Sequence, residues 1–162
     1  MEALNLNTGT HSVVHDVPGA DGAWLDTVNN KLYVGELTKM KIMVFNTAGV
    51  DIATFIGEYT GLNEALPSLV HMLDDLTLYS PADNVGETML LGADWTGKQV
   101  VLFRVDGGVN CTTVVPPVEL YEPTSVRWGK GPGFDENSIY VTEGGGATSR
   151  VTSRRVVQIK MK

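Results

Sequence analysis

Ser138-Ile139-Tyr140-Val141-Thr142-Glu143 is a short apolar strand that stops on a carboxylate and runs into three glycines, Gly144 to Gly146. The same shape occurs twice more, as Lys31-Leu32-Tyr33-Val34-Gly35-Glu36 and as Thr88-Met89-Leu90-Leu91-Gly92-Ala93-Asp94. Each copy leads on to a further strand: Ile42-Met43-Val44-Phe45, Val100-Val101-Leu102-Phe103 and Val156-Val157-Gln158-Ile159. The first two of these run into Asn46-Thr47-Ala48-Gly49 and Asp106-Gly107-Gly108, the Asn/Asp and Gly chemistry of hairpin turns. Each copy also follows a strand candidate: Ala23-Trp24-Leu25-Asp26, Leu76-Thr77-Leu78-Tyr79 and Ser125-Val126-Arg127-Trp128. The N-terminus carries the same pattern in Leu4 to Gly9, followed by a strand from His11 to Val17.

Counted this way, the unit has four strands and repeats every roughly 50 to 60 residues, the spacing of propeller blades. Sustained helical periodicity is absent, apart from one short turn between Gly61 and Leu69. The fold class is therefore all-β, built of four-stranded antiparallel β-propeller blades, with a β-sandwich of chance-similar hairpins as the plainer alternative. Residues 1–17 form the last two strands of one blade, 18–66 and 67–117 whole blades, and 118–162 three strands of another. That is an incomplete ring, since closed propellers take about four to eight blades. An open arc exposes strand edges, so the chain reads as half of a six-bladed propeller: a fragment of a longer chain or a homodimer completing a ring.

Composition narrows the partners. At 162 residues, 43% apolar and 19% charged, the chain has enough apolar content for one ordered domain. A net charge of -7 argues against nucleic acid and anionic membranes, which need clustered Lys and Arg; Arg150, Arg154 and Arg155 are the only such cluster. Cys111 is the single cysteine, so neither a disulfide nor a Cys-pair zinc site arises within the chain, and Asn110-Cys111-Thr112 matches a glycosylation triplet. Without a secretory apolar region after Met1 the expected location is cytoplasmic, with secretion open if the natural start lies upstream.

Pro18-Gly19-Ala20-Asp21-Gly22-Ala23-Trp24-Leu25-Asp26, with Asn29-Asn30-Lys31-Leu32-Tyr33-Val34, resembles the blade repeat of the SMP-30/gluconolactonase-like six-bladed propellers. Glu122 to Trp128 with Asn137 to Thr142 is similar to the same repeat, and Leu73 to Leu78 fits it less cleanly. Strictosidine-synthase-like and NHL-type propellers share much of this pattern. The resemblance implies one calcium or similar divalent ion at the ring centre, bound by acids just before the innermost strands. Carried over by position, Asp21 and Asp74 are the metal ligands, with Asp75 adjacent; the third blade offers Thr124, a weaker ligand.

Antiparallel pairing puts the start of each innermost strand on the same face as the end of the next. Asp21, Asp74 and Thr124 therefore share a face with Glu36, Asp94 and Glu143, which are either rim ligands for a hard cation or solvated loop acids. Among the histidines, His11 and His15 alternate on an outer strand, while His71 lies three residues before Asp74 and is the best general acid/base candidate, beside Asp75. Trp95 follows a rim acid and is expected, with Thr124 and Glu143, to line a substrate pocket; core packing is the plainer role for Trp24, Trp95 and Trp128. Gly92 to Gln99 nearly spells a P-loop, but Gln99 replaces the magnesium-binding hydroxyl and a strand follows, so no nucleotide is expected.

Three functions follow. The first is a metal-dependent hydrolase of a lactone or ester. The second is a metal-independent propeller of natural-product biosynthesis, strictosidine-synthase-like or guiding a hetero-Diels–Alder cyclisation, which the resemblance also reaches. The third is a non-catalytic binding or assembly module.

Overall fold

In a computed structural model the described residues are 2–4, 6–13, 15–37, 41–49, 54–59, 72–79, 89–104, 110–113, 120–144 and 154–161. They hold strands and turns and no helix. The strands are β1 (Glu2–Leu4), β2 (His11–Val13), β3 (Ala20–Asp26), β4 (Lys31–Glu36), β5 (Lys41–Asn46), β6 (Thr54–Tyr59) and β7 (Leu73–Tyr79). They continue with β8 (Met89–Asp94), β9 (Gln99–Arg104), β10 (Asn110–Thr113), β11 (Pro123–Trp128), β12 (Ser138–Glu143) and β13 (Arg155–Lys160).

All pairings are antiparallel and between sequence neighbours, giving sheets β1-β2, β3-β4-β5-β6, β7-β8-β9-β10 and β11-β12-β13. The architecture is all-β, of propeller blades. The first strands of the three larger sheets, β3, β7 and β11, lie against one another in that order and form the inner wall.

Blade stacking explains the continuous apolar runs. A blade covered on both faces needs no polar alternation, and every residue of β8 is buried. Tyr33, Ile42 and Val44 pack with Leu73, Leu76, Leu90, Val101 and Phe103 between the first two blades. Leu91, Ala93 and Val100 pack with Val126, Ile139, Val141 and Ile159 between the second and third. Successive residues of β8 thus serve opposite neighbours, Leu90 one blade and Leu91 the other, as the period of two requires.

The N-terminal strand is shorter than the expected His11 to Val17: β2 ends at Val13. Beyond it, the His15 ring meets Phe45 edge-on at 5.6 Å and Val17 is buried with Val34, Met43 and Phe45. These residues cover the first blade instead of extending a ladder. The inner strands differ the other way, each starting about three residues earlier than the apolar pattern suggested. Asp21, Asp74 and Thr124 therefore lie within strands, not ahead of them.

Candidate functional site

Each inner strand carries a β-bulge at one repeated place. The register skips between Ala20 and Ala23, between Leu73 and Asp75, and between Pro123 and Ser125. Ala20, Leu73 and Pro123 pair with Glu36, Asp94 and Glu143, so the residues that follow are equivalent: Asp21, Asp74 and Thr124, then Gly22, Asp75 and Ser125. A bulge frees a residue from the ladder and re-aims its side chain. The three candidate ligand positions are thus the three bulged positions, on the face where the second strands end.

The first two bulges meet. Asp74 makes a side-chain hydrogen bond with Asp21 from the neighbouring blade. Burial pushes the Asp74 carboxyl up to about 7, helped by that bond and by the negative charges of Asp21 and Asp75. A like charge brought this close disfavours ionisation of its neighbour. Gly22 permits the approach, because a Cβ there would stand 2.4 Å from the Asp75 Cα and 2.9 Å from the Leu76 nitrogen.

Asp75 takes part in a different set of contacts. It is buried, accepts a hydrogen bond from Ser125 Oγ at 2.6 Å and forms an ion pair with Arg127 Nη1. The same Nη1 donates to the Val126 carbonyl at 2.6 Å and to the Leu76 carbonyl at 3.3 Å. The guanidinium sits 5.6 Å from the Trp24 ring centre, so one cation links β3, β7 and β11. Thr124 turns to its own blade, its hydroxyl 3.1 Å from Thr142 Oγ1 and 3.3 Å from the Thr142 carbonyl.

The rim acids are neither solvated nor open. Glu36, Asp94 and Glu143 are 4%, 0% and 3% exposed. Asp94 accepts from Gln99 Nε2 at 2.8 Å, the Gly97 N–H at 3.0 Å, and Met72 N and Thr96 Oγ1 at 3.4 Å. Glu143 accepts from the Tyr121 N–H at 2.8 Å and pairs with Arg155, whose guanidinium stacks 5.5 Å from the Tyr121 ring centre. Beside each acid one backbone bond recurs: Leu37 N–H to the Gly19 carbonyl, Trp95 N–H to Met72, Gly144 N–H to Glu122. Buried carboxylates with satisfied oxygens clasp the blade mouth. The Gly92 to Gln99 segment is accordingly a strand end and hairpin turn, with the Gly97 N–H spent on Asp94.

Of the expected site residues, the fold brings together Asp21, Asp74 and Asp75. It places Trp95 beside Asp94 on the rim, with Thr124 and Glu143 bonded within the third blade. His71 lies outside the described residues, as do 145–153 of the loop that Gly144 opens. Among the described residues no three His, Cys, Asp or Glu side chains are grouped to share a metal ion. Sequence reasoning placed Ser125 and Arg127 on an inner strand but missed that both reach Asp75 of the neighbouring blade.

No protein-family model matches this chain, and no curated protein matches it. Its fold is that of a known enzyme. A solved structure of luciferin-regenerating enzyme superposes on 87% of the chain with a TM-score of 0.60 at 16% identity. The superposition uses 44% of that protein, so this chain spans less than half its length. At that identity the likeness shows the fold alone, that of propeller blades.

Proposed function

We propose that this chain belongs to a propeller enzyme that hydrolyses a lactone or ester of a small molecule, with a divalent cation at the ring centre. The observation that carries the reading is the meeting of Asp21 and Asp74, acids of adjacent inner strands, where burial and Asp21 push the Asp74 carboxyl up to about 7. The resemblance of the blade repeats and the fold likeness to an enzyme support it. The donor chemistry suits a hard cation, which takes about six to eight oxygens. Asp21 and Asp74 would supply two carboxylates, and the rest would come from elsewhere in the ring. When bound, the cation supplies Lewis acidity toward a carbonyl oxygen.

The chain's own residues handle protons and position. With its carboxyl raised to about 7, Asp74 can give or take a proton near neutrality. Ser125 and Arg127 hold Asp75 still beside it, and His71 and Trp95 are the further acid/base and pocket candidates. A second reading, a metal-independent pocket that shapes a cyclising substrate, is favoured by Thr124, whose hydroxyl is already bonded to Thr142.

Thermal melts with calcium separate the two. The metal reading expects a rise of about 5 to 10 °C when calcium stands roughly a hundredfold above its Kd. Binding should be about tenfold weaker at pH 6 than at pH 8, because the cation displaces a proton held to about pH 7. If neither calcium, magnesium, manganese nor zinc moves the melt at pH 8, the metal reading is lost.

A further inference from the structure

We infer that Arg127 is a binding site for the carboxylate of a small organic molecule, on the inner wall beside Trp24. Its structural duties use one nitrogen. Nη1 serves Asp75 and the carbonyls of Leu76 and Val126, while Nε and Nη2 donate to nothing among the described residues. The side chain is nonetheless 47% exposed, on a strand whose neighbour across the seam is the inner strand β7.

Neutralising Asp75 needs only a point charge, which lysine would supply. The planar fork adds a second, directional edge of N–H donors, matched to a carboxylate. That edge is held in advance. Asp75, fixed by Ser125, and two carbonyls anchor Nη1, and the Trp24 ring lies against the guanidinium. A pre-positioned fork loses little freedom on binding.

The surroundings select the charge of the guest. Asp75 is already balanced by Arg127, whereas Asp21 and Asp74 are further acids of the adjacent inner strands on the same wall. A monoanion meets less repulsion there than a phosphate dianion. The inference is independent of any metal, and its test contains none.

The probe is benzoate, titrated into the full chain and followed by the Arg127 Nε–H signal in a nitrogen-correlated spectrum and by calorimetry. The Arg127 resonance should shift and saturate. Arg127→Lys, which keeps the charge beside Asp75, should weaken benzoate at least tenfold, and Trp24→Leu, which leaves the ion pair intact, about threefold. An Arg127 signal that does not move with benzoate overturns the proposal, whether or not either variant folds. A folded Arg127→Lys protein that binds benzoate as the parent does also overturns it. Inorganic phosphate binding more tightly than benzoate would overturn the assignment to a carboxylate.

Discussion

Across the seam between β3 and β7, Gly22 lies against the Asp75 backbone and Asp74 makes a side-chain hydrogen bond with Asp21. Across the seam between β7 and β11, the equivalent residues are Ser125 and Thr124, and Arg127 arrives as a cation. The inner strands on both sides of each seam carry a bulge just after the residue that pairs with the rim acid. The difference lies in charge. The first seam concentrates like charge, which with burial raises the Asp74 carboxyl to about 7, whereas the second carries its own counter-charge. A repeat can thus keep its fold while one joint gathers acids and the next carries its own counter-charge.

Packing at the seams should give the largest contrast. Gly22→Ala drives a Cβ into the Asp75 backbone, which cannot move aside as a side-chain tip would, and should lower stability by about 3 kcal/mol. Ser125→Ala, at the equivalent position, removes only the hydrogen bond to Asp75 and should cost about 1 kcal/mol. Urea melts on both variants test this; equal losses would mean that the seams are not packed differently. The next effect belongs to the ion pair. Arg127→Met should cost about 2 kcal/mol, between the values for exposed and buried pairs because the arginine is half exposed. Adding Asp75→Asn should return about half of that, since no carboxylate is then left unpaired. Strictly additive losses would show that Arg127 does not stabilise through Asp75.

Much of this was legible in the sequence because blades are local objects. Strands, hairpin turns and the face shared by Asp21, Asp74 and Glu143 follow from apolar runs, glycine-rich turns and antiparallel pairing between neighbours. What was hidden depends on contacts between blades. Ser125 and Arg127 reach Asp75 from 50 and 52 residues away, a meeting set by how inner strands converge. The bulges were hidden too, because one unpaired residue leaves the apolar alternation almost unchanged. Burial of Glu36, Asp94 and Glu143 was illegible for a third reason. An acid at a strand end looks the same whether water or backbone N–H groups satisfy it, and only the returning strand at Met72 or Tyr121 decides.

The last test concerns the proton at the first seam. A carboxyl whose folded pKa is raised to about 7 binds its proton more tightly in the native chain than in the unfolded one. Its stabilisation is therefore complete below the ordinary carboxylate range, declines as the pH climbs from about 4, and is gone above about 7. Asp135 works in the opposite sense, because hydrogen bonds from the Asn137 N–H and Ser138 hold its carboxyl low, so its stabilisation is lost in acid. A single melting profile sums both and hides the first. The difference between the parent and Asp74→Asn isolates it: the parent's relative stability should fall between pH 4.5 and pH 7.5, then level off. Equivalent treatment of the second seam with Thr124→Val should give a difference that is flat with pH, since no titratable group is lost there. A flat Asp74→Asn difference would mean that the Asp74 carboxyl is not raised in the folded chain, and would remove the basis for treating the first seam as a cation site.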